Sequence, residues 1–246
     1  MAGNLIITGG SRGIGAATAL LAADRGYDVC VNYVRRSDRA DEIVGKVKAK
    51  GRNAIAVQAD VSKETDVGRM FKTVDKELGS LKGLVNSAGI TAGISRLDDE
   101  RITESLLANL WAINISGTIL PCRYAVLRMS TNHGGNGGSI VNVGSIASKI
   151  GAGGIYVDYT ASKGAVDAFT MGLAKEVAGE SIRVNCVRPG ITDTEIQPPG
   201  RVDQAGPNLP IRRVAKAHEI ASVILNLLSD DSSYVSGAIV DVAASL

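Results

Sequence analysis

The fold is decided by the stretch Leu5-Ile6-Ile7-Thr8-Gly9-Gly10-Ser11-Arg12-Gly13-Ile14-Gly15, near the start of the 246-residue chain. A short apolar run, typical of a buried strand, leads directly into glycines, and helical periodicity follows. Glycine permits a tight turn, and the amino end of a helix offers unpaired N–H groups to a pyrophosphate. The spacing of the glycines at 9, 13 and 15 departs from the common G-x-G-x-x-G pattern. We predict a dinucleotide-binding turn; the alternative is a tight strand-to-helix turn that holds no ligand.

Outward from this turn, strand-like apolar runs alternate with helical patterns along the chain. Strands are predicted at 4–8, 28–34, 54–58, 83–86, 139–143, 182–187 and 237–242, and helices near 13–25, 38–50, 63–78, 100–130, 157–178 and 216–229. Such alternation indicates crossover connections and a parallel sheet covered on both faces. We predict one α/β Rossmann domain over 1–246, with a doubly wound, mostly parallel seven-stranded sheet.

Composition and charge exclude several classes of protein. The net charge is +2 with both signs dispersed, which argues against a nucleic-acid partner. Three widely spaced cysteines, Cys30, Cys122 and Cys186, are predicted to be reduced core residues, and with only two histidines no metal site is expected. The amino terminus lacks the basic leader of a signal peptide. We expect no segment to approach the ~20 apolar residues that span a bilayer. We expect a soluble cytoplasmic protein without membrane contact.

The segment 191–212 interrupts the alternation. It contains four prolines and is too proline-rich for a continuous helix. Connections of this length are usually functional lids or plain loops, and this one follows the carboxyl end of a predicted strand, where open α/β sheets bind ligands. We predict a substrate lid, with a plain loop as the alternative.

The end of the second strand indicates which nicotinamide cofactor is preferred. An acidic residue there would bind the ribose 2′-hydroxyl of NAD, but this chain has Arg35-Arg36 and no carboxylate. Together with Arg12 of the glycine turn, Arg35 favours the 2′-phosphate of NADP. The alternative is a pair of solvated surface arginines. Asp60, after the third strand, is expected to meet the adenine amino group or to cap the helix near Ser62.

A candidate catalytic pair lies in the run Tyr159-Thr160-Ala161-Ser162-Lys163. In a helix, Tyr159 and Lys163 share one face and reach one site. A free phenol has a pKa of about 10, and a nearby ammonium, with the charge of an oxidised nicotinamide, is expected to lower it. A tyrosine and a lysine four residues apart are common by chance. The glycine turn upstream is therefore what makes this pair a candidate. Tyr156 is a weaker candidate because no cation lies four residues after it.

These motifs, in this order and at these intervals, resemble the short-chain dehydrogenase/reductase family over nearly the whole chain. Thr8 to Gly15 is similar to the family's T-G-x-x-x-G-x-G turn, and Asn86-Ser87-Ala88-Gly89 is similar to N-N-A-G with one departure, at Ser87. Asp60-Val61 and the Pro189-Gly190 segment also match. The resemblance implies that the cofactor is bound by Gly9, Ser11, Arg12, Gly13, Ile14, Gly15, Arg35, Asp60, Val61, Asn86, Ala88, Gly89, Tyr159, Lys163, Pro189, Gly190, Thr192 and Thr194.

The resemblance also implies a catalytic tetrad of Asn114, Ser145, Tyr159 and Lys163. Tyr159 would exchange a proton with the substrate oxygen, which Ser145 would also hydrogen-bond; Ser148 competes weakly with Ser145 for this role. Lys163 would bind the nicotinamide ribose and tune Tyr159. Asn114 would hold a water that links Lys163 to solvent.

We predict an NADP(H)-dependent oxidoreductase that interconverts a ketone or aldehyde with an alcohol. The alternatives are a 3-oxoacyl-carrier-protein reductase and, from another class, a non-catalytic dinucleotide-sensing protein. Carrier docking in the family uses basic side chains at two places where this chain has Asn136-Gly137-Gly138 and Gly179-Glu180. The chain also resembles members labelled sugar or glucose dehydrogenases.

A homotetramer is the assembly that the resemblance implies. The family's contacts are formed by the catalytic helices and by the last strand with its helix. The chain departs from the family at its carboxyl end, where Asp241-Val242-Ala243-Ala244 replaces the usual Asp-Gly-Gly. The additional methyl groups are expected to alter close packing there.

Overall fold

Seven parallel strands form one continuous sheet in the computed structural model, which describes residues 3–246. Residues 1 and 2, where the predicted domain begins, lie outside the described residues. The strands are, in spatial order, β3 (Ala54–Gln58), β2 (Asp28–Tyr33), β1 (Asn4–Thr8), β4 (Leu81–Asn86), β5 (Gly138–Val143), β6 (Ile182–Pro189) and β9 (Ile239–Val242). A separate two-stranded pair consists of β7 (Thr192–Asp193) and β8 (Ala215–Lys216).

Helices cover both faces of the sheet. They are α1 (Gly13–Asp24), α2 (Ser37–Ala49), α3 (Glu64–Glu77), α4 (Glu104–Trp111), α5 (Gly117–Met129), α6 (Ala147–Ile150), α7 (Val157–Glu176), α8 (Arg201–Ala205) and α9 (Ala217–Leu228). Helices α1, α2 and α9 pack on one face, and α3, α5 and α7 pack on the other. The predicted doubly wound Rossmann architecture is therefore confirmed.

The alternation of side chains along β1 shows how one strand serves two cores. Leu5 and Ile7 enter the core beneath α1, whereas Ile6 enters the core beneath α3 and α5. Successive residues of a strand face opposite sides of the sheet, so a strand buried on both faces is apolar throughout. Strand β1 has β2 on one side and β4 on the other, so the connections diverge at its carboxyl end. In such sheets this switch point is where ligands bind.

The helical pattern predicted at 100–130 is divided in the structure. A π-helical turn, Ala112–Ser116, separates α4 from α5. By length and composition alone, the run Glu104–Met129 has a window of mean hydropathy 1.3 that could cross a membrane, so the sequence-based statement that no such segment exists is wrong. One side of the run, including Leu110, Asn114 and Cys122, is buried within the protein.

The proline-rich segment 191–212 contains short elements that the sequence did not reveal. Strand β7 begins it, the five-residue helix α8 lies in its middle, and β8 follows it. Leu209 is buried, whereas Ile196 and Ile211 are exposed. No continuous helix forms here, as the prolines predict.

Candidate active site

The turn after β1 has a backbone that requires glycine at three positions. Gly9 and Gly13 have φ of +63° and +53°, which lie in the left-handed region. A methyl group on Gly15 would lie 2.4 Å from the carbonyl oxygen of Gly9, so the helix could not approach the turn as closely. The turn therefore brings bare backbone to the switch point of the sheet.

Thr8 joins this turn to the end of β4. Its Oγ1 accepts hydrogen bonds of 3.1 Å from the backbone N–H groups of Ser87 and Ala88. A methyl group on Gly9 would lie 2.9 Å from Cα of Ala88. The glycine turn and residues 86–89 thus form one continuous wall at the carboxyl edge of the sheet.

The amino end of α1 is open to an anion. Helix α1 has no side-chain cap and no acidic residue in its first turn, and its first N–H groups lack helical partners. The partial positive charge there favours phosphate groups. Ser11 and Ile14 belong to the same segment, at the junction between the turn and the helix.

Two arginines lie beside this helix end and share one carboxylate. The carboxylate of Glu195 pairs with Arg12 at 3.4 Å and with Arg39 of α2. Arg35 is exposed at the end of β2, whereas Arg36 forms a 2.6 Å ion pair with Asp38. Sequence reasoning missed Arg39 and Glu195; the only available signal was a basic residue in the first turn of α2.

Three predicted cofactor residues direct their side chains to protein partners. Oδ1 of Asp60 accepts hydrogen bonds from the backbone N–H of Ser62 at 3.0 Å and from its hydroxyl at 2.7 Å. The side chain of Val61 is buried against Gly117. Nδ2 of Asn86 donates to the carbonyl oxygen of Thr118 and to Oδ1 of Asn142, so this amide ties β4 to α5 and β5.

The two members of the predicted catalytic pair lie together on α7. Lys163 is only 4% exposed, and its Nζ donates a 2.8 Å hydrogen bond to the carbonyl oxygen of Val143, the last residue of β5. The same Nζ lies 5.7 Å from the centre of the Tyr159 ring. Ser145 follows two residues beyond Val143, and its hydroxyl acts to lower the pKa of the Tyr159 phenol.

The pKa of Tyr159 differs from the sequence-based expectation. Burial raises the pKa of this phenol to about 12, hydrogen bonding with Ser145 lowers it, and the nearby Tyr156 raises it. The predicted lowering by Lys163 is wrong for the protein alone, because desolvation is the largest effect. For Lys163, burial lowers the pKa to about 8, while Cys186 and Asp167 act in the opposite direction.

Asn114 lies in the π-helical turn Ala112–Ser116, whereas the sequence predicted an ordinary helix at this position. Its Oδ1 accepts from the N–H of Ile90 at 2.9 Å, and its Nδ2 donates to the Ile90 carbonyl and to Oγ of Ser162, both at 3.0 Å. A methyl group on Gly89 would lie 3.4 Å from Oδ1 of Asn114 and 3.5 Å from Nζ of Lys163. Residues 88 and 89 therefore touch the glycine turn on one side and the catalytic candidates on the other.

The segment after β6 closes the edge of this wall. The carbonyl oxygen of Pro189 accepts a 3.0 Å hydrogen bond from the N–H of Ile146, next to Ser145. The hydroxyl of Thr192 donates to the carbonyl oxygen of Gly190 at 3.0 Å, and the side chain of Thr194 packs against Gly13. The segment after β6 thus connects the glycine turn with the turn after β5 that carries Ser145, here called the Ser145 turn.

Comparison with known proteins gives a consistent result. A family model described as short chain dehydrogenase matches residues 4–205. A protein named "Uncharacterized oxidoreductase YgfF" from Escherichia coli (strain K12) is 47% identical over 242 residues, which is 97% of each chain. A human 3-oxoacyl-[acyl-carrier-protein] reductase is 38% identical over 240 residues, which is 98% of this chain and 96% of the relative.

Solved structures share the fold. A short chain dehydrogenase from Burkholderia cenocepacia J2315, crystallised in complex with NADP, superimposes with a TM-score of 0.91 at 32% identity, covering 98% of this chain and 96% of that chain. A dehydrogenase/reductase from Sinorhizobium meliloti 1021 has a TM-score of 0.92 at 29% identity, covering 99% of this chain and 95% of that chain.

Proposed function

Because this chain belongs to the short chain dehydrogenase family, we propose that it is an NADP(H)-dependent oxidoreductase that interconverts a ketone or aldehyde with an alcohol. The observation that carries the proposal is the position of residues 88 and 89. They lie between the glycine turn at Gly9 and the buried ammonium of Lys163, so a dinucleotide held by the turn would have Tyr159 and Lys163 at the far end of this wall.

The residues at the turn fit a phosphorylated dinucleotide. Bare backbone at Gly9 and Gly13 and the uncapped end of α1 suit a pyrophosphate. Arg12 and Arg39 already hold one carboxylate between them, which supports the choice of a 2′-phosphate and hence NADP. When bound, the nicotinamide supplies or accepts the hydride.

Three side chains have distinct roles in the proposed reaction. Tyr159 donates its phenolic proton to the carbonyl oxygen as the carbonyl carbon gains hydride, and it removes that proton in the reverse direction. With a pKa of about 12 the phenol carries its proton at neutral pH, as the reduction direction requires. Ser145 donates a hydrogen bond to the same oxygen as negative charge develops there. Lys163, whose pKa of about 8 is close to neutrality, returns a proton toward the site.

Asn114 holds the wall in place in this proposal. Its bidentate contact with Ile90 fixes the loop after β4, and its bond to Ser162 fixes α7 beside Tyr159. We propose that segment 191–212 closes over the substrate, because its first residues already contact the glycine turn through Thr194.

The proposal is tested by following NADPH oxidation with a panel of ketones and aldehydes. We expect Tyr159→Phe to lose roughly a hundred- to ten-thousandfold in kcat, the usual contribution of a positioned general acid. Tyr156→Phe is the matched control, since that ring lies 6.0 Å from Tyr159 in an edge-to-face contact. Equal activity of native protein and Tyr159→Phe would reject the assignment. NADPH binding without turnover of any carbonyl would favour a dinucleotide-sensing protein instead.

A second candidate is reduction of a 3-oxoacyl group carried by an acyl carrier protein. It is favoured by the human relative of that name, which is 38% identical to this chain. The two functions are separated by measuring kcat/KM for a 3-oxoacyl thioester of coenzyme A and for the same acyl group on a carrier protein. A kcat/KM that rises strongly on the carrier protein would support this candidate, and equal values would reject it.

A further inference from the structure

Asp167 is a largely covered carboxylate that the proposed reaction does not use. It lies four residues after Lys163 on α7, so the two side chains share one face of the helix. The side chain of Asp167 is only 13% exposed. A carboxylate in such a place needs partners, because an unpaired buried charge is costly.

The partners of Asp167 come from two neighbouring elements. Its Oδ2 accepts a 2.5 Å hydrogen bond from Oγ of Ser148 in α6 and lies 3.6 Å from Nη1 of Arg188 in β6. Its Oδ1 accepts a long 3.5 Å contact from Sγ of Cys186. A methyl group on Gly144 would lie 3.1 Å from this Oδ1, so glycine at 144 leaves room for the carboxylate.

Ser148 connects the carboxylate to the turn that carries Ser145. Oγ of Ser148 lies 2.7 Å from the carbonyl oxygen of Ser145, and the N–H of Ser148 donates to the same carbonyl at 3.1 Å. A hydroxyl has one hydrogen, so Ser148 divides it between this carbonyl and Asp167. The orientation of the turn is thereby fixed relative to α7, which carries Tyr159.

Arg188 anchors the same carboxylate to the end of the sheet. Its Nε forms a 2.7 Å ion pair with Oδ1 of Asp241 in β9, and Oδ2 of Asp241 pairs with Nζ of Lys149 at 2.6 Å. Two carboxylates and two cations therefore alternate along one network. The network therefore links α6, α7, β6 and β9 through charged side chains.

We propose that Asp167 is a positioning residue, which fixes the Ser145 turn against α7 and holds a negative charge beside Lys163. The inference rests on the proposed function, since it assigns a role within the same site. Charge near Lys163 matters because Asp167 opposes the lowering of the Lys163 pKa by burial. The titratable and charged groups around the pair are Tyr159 on α7, Lys149 on α6, Cys186 and Arg188 on β6, and Asp241 on β9.

Two variants separate the mechanical effect from the electrostatic effect. Asp167→Asn keeps an acceptor for Ser148 but removes the charge, and Ser148→Ala removes the link to the Ser145 turn but keeps the charge. The control is Asp75→Asn on α3, which breaks a 2.7 Å ion pair with Arg128 of α5, away from the site residues. Carbonyl reduction is measured across pH, together with NADPH affinity by fluorescence titration and thermal unfolding.

We expect both site variants to lose roughly ten- to a hundredfold in kcat, because small misplacements of a catalytic group are costly. Substrate KM and NADPH affinity should stay near native values. In Asp167→Asn, the alkaline limb of the kcat profile should move to lower pH by about one unit, because the charge that favours protonated Lys163 is gone. In Ser148→Ala that limb should not move.

The outcomes are distinguishable from failure of the proposed function. If the native protein is active and Asp167→Asn has the same kcat and pH profile, the positioning role is overturned. If Asp167→Asn does not fold, an unchanged kcat in Ser148→Ala overturns the positioning role instead. A native protein that binds NADPH but reduces no carbonyl would overturn the proposed function itself, and the positioning role with it.

Discussion

At the scale of a single residue, Lys163 carries a charge where burial opposes it. Its folded-state pKa of about 8 lies below the ordinary 10.5, so between these values the unfolded chain binds more protons. The contribution of this group to the unfolding free energy therefore rises with pH across that window and is lost as pH falls through about 8. We expect Lys163→Met to be more stable than native at neutral pH, by up to about 3 kcal/mol.

This stability difference should shrink as pH rises toward 10.5, because native Lys163 then becomes neutral in both states. Denaturant titrations of the native protein and the variant at several pH values measure it. Lys175→Met, at an exposed position of the same helix, provides the control. A difference that stays constant across the window would contradict a buried, titrating ammonium.

Glu195 is a second residue whose charge has a predicted consequence. Its carboxylate occupies the site between Arg12 and Arg39 that we assign to the 2′-phosphate, so the two anions compete. We expect Glu195→Gln to tighten NADPH binding by up to about fivefold, the equivalent of a surface ion pair, and to leave NADH binding unchanged. Fluorescence titrations with both cofactors measure this. Asp193→Asn, at an exposed neighbouring position, matches the change in charge, and equal gains for NADPH and NADH would contradict the competition.

At the scale of an element, the turn after β9 stores backbone strain. Ala244 has φ of +52°, a left-handed conformation that costs alanine about 1–2 kcal/mol. Glycine adopts it freely but loses roughly 0.5–1 kcal/mol in chain entropy. We expect Ala244→Gly to raise Tm by up to roughly 2–4 °C, measured by calorimetry.

The neighbouring residue provides the control for this prediction. Ala243 is 8% exposed and lies against Gly190, where a methyl group would be 2.9 Å from its Cα. It is not among the residues with positive φ, so Ala243→Gly only removes packing and should lower Tm. A lower Tm for both variants would show that the turn after β9 is not strained.

The elements of this chain differ in how far sequence determines them. The bounds of β1 and β3 are those predicted, because each contains an apolar run that packs against helices on both faces of the sheet and ends at glycine or polar residues. The π-helical turn at Ala112–Ser116 was not predictable, because it accompanies contacts of Asn114 with Ile90 and Ser162, which are distant in the chain.

The candidate site shows the same division. Spacing along α7 was sufficient to pair Tyr159 with Lys163, since a helix repeats every 3.6 residues. The direction of the Tyr159 pKa shift could not be predicted in this way, because desolvation depends on everything that packs around the phenol. Arg39 and Glu195 meet only after folding, so neither carried a recognisable pattern in the sequence.

At the scale of the whole molecule, the outer side of α5 and α7 presents an apolar surface. A groove there is lined mainly by Ile119, Val126, Leu127, Phe169 and Leu173. Trp111 and Met171 are also more than two-fifths exposed. Exposed apolar surface of this kind is typical of an interface between proteins, and the inner side of the same helical run is already buried in the core.

We expect this surface to be covered by a second copy of the chain, which the predicted homotetramer requires. Leu127→Asp would place a charge in the contact, so the particle mass measured by light scattering should fall to half of the native value or less. Val34→Asp is the control, since Val34 is 45% exposed at the end of β2, away from α5 and α7. A native protein that is already monomeric would contradict the assembly, and a native mass for Leu127→Asp would show that the copies meet elsewhere, with the surface around β9 and α9 as the next candidate.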